Sequence, residues 1–207
     1  ENSVVNIDFI NSEELNKDNV ADRLKEADGI IVPGGFGERG IPGMIDAIEY
    51  ARTNNVPMLG ICLGMQLMTI EYARNVCGIQ DANSLEFDEI TKNPVINLMS
   101  DQSLEDMGGT QRLGDYTCQL VEGTNVHRLY NKEMIKERHR HRYEFNNKYK
   151  DVLIENGLTV SGINPERNLV EIVEIKDHPY YVGCQFHPEF TSRPNRSQPL
   201  FQGLITA

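Results

Sequence analysis

Long apolar runs, paired cysteines, repeats and an excess of positive charge are all missing from this sequence. No stretch approaches the ~20 apolar residues of a membrane span and no secretory leader opens it, so a cytoplasmic protein with no membrane partner is expected. The four cysteines (Cys62, Cys77, Cys118 and Cys184) lie far apart, with no C-x-x-C pair. That spacing gives no zinc site or disulfide framework, no metal ligands are expected, and a reducing compartment fits. Lys and Arg number 20 against 31 Asp and Glu, a net charge of −11. Such an acidic balance argues against nucleic acid as a partner. With no linker or low-complexity tract, the 207 residues are expected to form one domain, 1–207, with 39% hydrophobic residues for its core.

Everything else is arranged around the stretch from Val56 to Met68. Met58 to Ile61 reads as a short buried strand entered through Pro57. Past Cys62, apolar residues at Met65, Met68 and Tyr72, flanked by Ile70, Ala73 and Val76, have helical spacing, and Gly78 is placed to cap the helix. Gly60-Ile61-Cys62-Leu63-Gly64 is thus a cysteine form of G-x-S-x-G, the sharp strand-to-helix turn that presents a nucleophile. A helix N-terminus favours thiolate, and the free N–H of Leu63 can face a developing oxyanion. A buried structural cysteine at a strand end is the competing explanation.

Upstream, Val4 to Ile10 is expected as a strand, and Val20, Leu24 and Ala27 mark a short helix. Gly29 to Val32 is a continuous apolar strand running into the glycine-dense loop Pro33 to Gly40. Ile41, Met44, Ile45, Ile48 and Ala51 give the next helix, closed by Asn54-Asn55. Strand–helix alternation implies a parallel α/β sheet with function at the carboxyl ends of its strands. Asp81 to Gly114 reads as loop-rich. Tyr116 to Val121 is a strand with Cys118 as core filler. Glu137 to Phe145 alternates, setting Glu137, His139, His141, Tyr143 and Phe145 on one face and Arg138, Arg140 and Arg142 on the other. Tyr149 to Asn156 is a helix; Leu158–Ile163, Leu169–Ile175 and Tyr180–Phe186 are strands; Pro199 to Ala207 is a last short helix.

A nucleophilic cysteine needs a base. Of five histidines, His187 stands in Gln185-Phe186-His187-Pro188-Glu189, where an extended backbone puts Gln185, His187 and Glu189 on one face and turns Cys184 and Phe186 into the core. A carboxylate beside an imidazole fixes its tautomer and stabilises the imidazolium. Alone, the pair could equally be a surface ion pair. With the Cys62 turn in the same chain it reads as catalytic.

Those residues resemble the Cys-His-Glu triad of class-I glutamine amidotransferases. More narrowly, the chain is similar to the C-terminal glutaminase domain of the CTP synthase family. Pro33 to Gly40, Gly60 to Gln66, Glu137 to Glu144 and Gln185 to Phe190 carry that likeness, with Met107 to Gly114 as a fifth stretch. The resemblance implies a flavodoxin-like class-I glutamine amidotransferase fold, α/β, with a mostly parallel central sheet and helices on both faces. Against the family pattern the first strand–helix unit and the N-terminal synthetase domain are absent from this sequence. The implied activity is hydrolysis of L-glutamine through a Cys62 thioester, with His187 and Glu189 completing the triad. The backbone N–H groups of Gly35 and Leu63 would form the oxyanion hole. Gly35, Phe36, Leu63, Gly64, Met65, Gln66, Glu86 and Arg142 would bind substrate; an anion for the ammonium and a cation for the carboxylate suit a zwitterion. No cofactor is implied in this domain. ATP, Mg and UTP would belong to the synthetase domain of the same polypeptide, GTP would activate, and the full-length enzyme would be a homo-oligomer. Another cysteine hydrolase of this fold, a sister amidotransferase or γ-glutamyl hydrolase, and a non-catalytic regulatory domain stay open as alternatives.

Overall fold

The computed structural model describes residues 4–98 and 111–207. In chain order, α1 (Val20–Leu24) leads to β1 (Ile30–Val32), α2 (Ile41–Thr53), β2 (Met58–Ile61) and α3 (Leu63–Asn75). Two short strands follow, β3 (Ala82–Ser84) and β4 (Asn93–Leu98), then β5 (Arg112–Leu120), α4 (Asn125–Tyr130), β6 (Met134–His141) and β7 (Tyr143–Phe145). The chain ends with α5 (Lys150–Glu155), β8 (Thr159–Asn164), β9 (Leu169–Glu174), β10 (Tyr181–Cys184) and α6 (Pro199–Thr206). Among the described residues these strands form a seven-stranded sheet, β1-β2-β10-β9-β8-β5-β6, and a three-stranded sheet, β3-β4-β7.

Helices cover both faces of the main sheet, as expected, and strand alternation divides the core accordingly. Met58, Tyr181 and Val173 face the layer of α2 and α3. Their neighbours Leu59, Val182 and Ile172 face the layer that holds Val126 of α4 and Leu200 of α6. α3 is buried from Leu63 to Ala73 because the small sheet closes over the side that the main sheet leaves open. Inside that sandwich the fully buried Glu71 is held by Arg52 of α2, Nη2 to Oε1 at 2.7 Å and Nε to Oε2 at 2.9 Å, and by Asn75 Nδ2 at 3.0 Å. A buried carboxylate is tolerated only when its oxygens are matched in this way.

Three expectations need correction. The sheet is mixed rather than mostly parallel: only β1–β2 and β2–β10 pair in parallel, and the other four pairings of the main sheet are antiparallel. Parallel neighbours need a long crossover, and only the first half of the chain supplies helical crossovers; the later strands return through connections such as 165–168 and 175–180. Val4 to Ile10 is not a strand. It has no regular secondary structure and is exposed up to Phe9, with Val4 at 91% and Phe9 at 90%, and among the described residues it pairs with no strand. Finally, the alternating stretch Glu137 to Phe145 breaks at Arg142: β6 ends at His141, and β7 leaves the main sheet to pair with β4.

Asp81 to Leu98 contributes β3 and β4 where loop was expected. The similarity at Met107 to Thr110 lies outside the described residues.

The arrangement that matters for chemistry is the parallel trio. β1, β2 and β10 are adjacent and run the same way, so their carboxyl ends meet at one edge. β1 ends in the glycine loop, β2 in Cys62, and β10 in the segment carrying Gln185 and His187. The small sheet lies against α3 and brings up the residues after β3 and between β6 and β7.

Candidate active site

Cys62 sits at the corner between β2 and α3 with φ 51° and ψ −100°, a left-handed conformation uncommon for a residue with a side chain. Its backbone N–H donates to Cys184 O at 2.7 Å, which locks the turn onto β10. The corner closes only because the next turn presses on β1: a side-chain carbon on Gly64 would lie 2.2 Å from Val32 O. α3 then starts at Leu63, leaving its first N–H groups unspent beside the sulfur.

His187 follows β10, and its backbone N–H donates to Arg138 O at 2.8 Å. Its ring Nδ1 meets Glu189 Oε1 at 2.7 Å, and the ring lies beside Cys62, whose interaction with it is the largest influence on its protonation. With Nδ1 taken by Glu189, Nε2 is the ring nitrogen left to serve the sulfur. The geometry arises differently from the expected strand alternation. β10 ends at Cys184, and Pro188 to Phe190 form a 3-10 turn that folds Glu189 back onto the imidazole. The interaction with Cys62, then the hydrogen bond to Glu189, outweigh burial and push the His187 imidazole up to about 10. Burial pushes the Glu189 carboxyl up, but its hydrogen bonds to His187 and to backbone prevail and the net shift is downward. The pair is an imidazolium and a carboxylate at neutral pH.

The glycine loop passes directly over the pair. A side-chain carbon on Gly34 would lie 2.8 Å from His187 Cε1 and 3.6 Å from Cys62 Cβ, so only glycine leaves room for the imidazole. Gly35 sits against Leu63, where an added carbon would be 3.0 Å from Leu63 Cδ2. Phe36 points outward, 91% exposed. Glu86, just past β3, is half-buried and accepts from the Gly37 N–H at 2.9 Å, tying the loop to the small sheet. Burial raises the Glu86 carboxyl, partly countered by the Gly37 hydrogen bond and by the charge of Arg142. Arg142 occupies the break between β6 and β7, so it leaves the outward row of Arg138 and Arg140 and comes under the influence of Glu86.

Two things were not legible in the residue pattern. Gln185 had a predicted face but no role; it is 1% exposed, and its Nε2 donates to Cys62 Sγ at 3.6 Å. Behind it lies a buried polar cluster. Arg112 Nη1 meets Glu171 Oε1 at 2.6 Å, its guanidinium 4.3 Å from the Tyr116 ring, and His139 Nδ1 contacts His141 Nε2 at 3.0 Å. No local signal pairs Arg112 with Glu171, because β9 and β5 meet only through the sheet.

That cluster has a consequence for acid stability. Burial holds His139 well below the usual range and His141 down to about 3, with Arg112 adding to both; burial also lowers His178. A histidine kept neutral in the folded state stabilises above ~6.5 and loses that contribution as pH falls towards its folded value. Glu171, raised by burial to about 7, acts in the opposite sense by holding a proton below that pH that the unfolded chain has released. Glu86, raised by burial, and His187, held protonated, act in the same sense as Glu171. His187 does so only near about pH 6.5, because an unfolded histidine also gains its proton below that. Below about pH 6 the three neutral histidines prevail and the unfolded chain binds more protons. Stability is therefore expected to fall between about pH 6 and 4.5 by about 1–3 kcal/mol per pH unit. Urea unfolding at pH 7 and pH 5 measures this, and an unchanged midpoint would contradict it.

A cysteine on a strained turn, an imidazole bridging it to a carboxylate and a glycine loop overhead are what a thiol-based amidotransferase requires. The chain belongs to the class-I glutamine amidotransferase family, whose model matches residues 1–207. Within that class it is similar to CTP synthase. It is 57% identical over 204 residues to the CTP synthase of Geobacillus kaustophilus and 58% identical over 205 residues to that of Clostridium acetobutylicum. These matches take in 98% and 99% of the chain and 38% of each relative, so the chain spans about two fifths of their length. Among solved structures, the glutaminase domain of Trypanosoma brucei CTPS with bound acivicin superimposes with a TM-score of 0.93. That likeness has 37% identity and covers 99% of this chain and 80% of that one. The class-I amidotransferase fold expected from the sequence is therefore shown.

Proposed function

We propose that this chain hydrolyses L-glutamine to glutamate and ammonia through a thioester on Cys62. The observation that carries the reading is His187, whose Nδ1 meets Glu189 Oε1 at 2.7 Å while its ring lies beside Cys62 and is raised chiefly by it. Cys62 Sγ attacks the side-chain amide carbon, and the Gly35 and Leu63 N–H groups face the oxyanion. The C–N bond breaks as His187 Nε2–H protonates the departing ammonia. Water then gives its proton to the neutral imidazole and attacks the thioester; the C–S bond breaks, restoring thiolate and imidazolium. Glu86 receives the substrate ammonium and Arg142 its carboxylate. Phe36, Gly64, Met65 and Gln66 line the same pocket. The step needs no resident metal or cofactor.

The similarity to CTP synthases, together with the share of their length that is matched, supports a wider proposal. The ammonia passes to a synthetase domain of the same polypeptide, which uses ATP and Mg to aminate UTP. GTP activates the reaction, and the assembly is a cytoplasmic homo-oligomer. Consistent with that setting, no helix among the described residues is long and apolar enough to cross a membrane.

The direct test is ammonia release from glutamine against release of glutamate from γ-glutamyl peptides; preference for the peptides would redefine the enzyme. A second test reads the nucleophile. Burial raises the thiols of Cys77, Cys118 and Cys184, keeping them protonated and unreactive. An electrophilic glutamine analogue is therefore expected to label Cys62 alone among the four. Mass spectrometry showing equal labelling of another cysteine would count against the reading.

A further inference from the structure

Cys62 Sγ has a second polar neighbour besides His187. Gln185 Nε2 lies 3.6 Å from it, and Gln185 Oε1 accepts from Gln66 Nε2 at 3.3 Å. Gln66 Nε2 also donates to Tyr143 O at 3.0 Å. This last contact decides the orientation of both amides. A backbone carbonyl is only ever an acceptor, so Gln66 must turn its NH2 towards Tyr143. The same NH2 then meets the oxygen end of Gln185, which leaves the NH2 of Gln185 for the sulfur. Gln185 is 1% exposed and Gln66 3%, so water does not compete for these bonds.

We infer that Gln185 is a catalytic hydrogen-bond donor to the Cys62 thiolate, and that Gln66, anchored on Tyr143 O, is the positioning residue that aims it. A thiol is a weak acceptor and a thiolate a strong one, so the bond strengthens when the proton leaves. Gln185 thereby enlarges the thiolate population before attack. It stabilises the same sulfur again when the thioester breaks and thiolate departs. Tyr143 adjoins Arg142, so the segment proposed to hold the substrate carboxylate also anchors the amide relay to the nucleophile. The other titratable groups facing the sulfur are His187, with Glu189 behind it, and Cys184 on the adjoining strand; the variants below leave all three intact.

The size and sign of the effect follow from thiol chemistry. Losing a hydrogen bond to a charged group moves an ionisation by about one pH unit or more. Intrinsic nucleophilicity rises as the thiolate is destabilised, with a Brønsted slope near 0.45. For a one-unit displacement, reaction with a small electrophile should therefore slow about threefold on the acidic limb and quicken about threefold on the alkaline plateau. The two profiles cross.

The experiment measures alkylation of Cys62 by iodoacetamide from pH 5 to 10, by peptide mass spectrometry, in the full-length protein. Gln185→Leu is expected to give the crossing pattern. Gln185→Glu, nearly the same size, sets a carboxylate against the sulfur and is expected to displace the profile further. Gln66→Leu releases the Gln185 amide and is expected to displace it in the same direction by less. A profile that superimposes on wild type, or is scaled evenly at every pH, overturns the inference, because a packing role alone does not move the midpoint. Should Gln185→Leu fail to fold, the same criterion is applied to the other two variants, and an undisplaced profile in both overturns it. The inference rests on the proposed glutaminase reading only for its second readout. There, Gln185→Leu is expected to lower kcat, keep the glutamine KM within about twofold and accumulate the thioester. Failure of the wild type to hydrolyse glutamine would sink the functional reading, while the alkylation profiles would still decide the role of Gln185.

Discussion

Cys62→Ala is expected to lower glutamine hydrolysis by about three orders of magnitude or more, because a covalent route disappears and only binding and the oxyanion donors remain. The substitution is a clean one. Alanine keeps the β-carbon, so the φ of 51° at the corner is no more strained than before, and the N–H of residue 62 still bonds Cys184 O. His187→Ala is expected to be comparably severe: it removes both the partner of the thiolate and the acid that protonates the leaving ammonia. Glu189→Ala should be milder. Its carboxylate is 44% exposed and touches only the far nitrogen of the ring, so it orients the imidazole without meeting the substrate. The measurement is steady-state ammonia release on variants whose thermal unfolding matches wild type. Near-normal turnover in Cys62→Ala would sink the mechanism.

The second large effect is expected at Glu86 and Arg142, and it should appear in KM. The reacting amide lies several bonds from the α-carbon, so the charges on the amino-acid head group change little as the thioester forms. Binding energy realised equally in ground and transition states sets KM rather than kcat. Removing one partner of a desolvated charge pair costs on the order of 2–5 kcal/mol, which corresponds to tens- to thousands-fold weaker use of glutamine. Glu86 has a further task in this structure, since it accepts from the Gly37 N–H and so holds the loop that carries Gly35. Glu86→Gln retains an oxygen for that bond while removing the charge, and it should raise KM with kcat nearly unchanged. Glu86→Ala loses both and should lower kcat as well. Arg142→Ala should resemble Glu86→Gln. Alkylation of Cys62 by a small electrophile without a head group should survive all three changes. If the glutamine KM of Glu86→Gln and Arg142→Ala stays at the wild-type value, the head-group assignment is wrong.

By itself the sequence determined what depends on neighbours along the chain. The apolar strand at Met58 to Ile61, the helical spacing after Cys62 and the glycines at the corner announced the elbow, because strand, turn and helix are local choices. His187-Pro188-Glu189 announced an imidazole beside a carboxylate for the same reason, although a 3-10 turn rather than a strand brings them together. The tight turns at Asn164-Pro165 and His178-Pro179 already favour antiparallel pairing of β8, β9 and β10. Only the tertiary structure decided the rest of the order, because apolar runs look alike in parallel and antiparallel neighbours and nothing local set β5 between β8 and β6. Val4 to Ile10 has the composition of a strand, yet a strand exists only where another backbone receives its hydrogen bonds. Arg142 alternates faultlessly with Arg138 and Arg140 until the chain changes sheets, a step set by the pairing of β7 with β4. The contact of Gln185 with Cys62 joins residues 123 positions apart. Such contacts follow from which carboxyl ends the sheet order sets side by side, and no local period encodes that order.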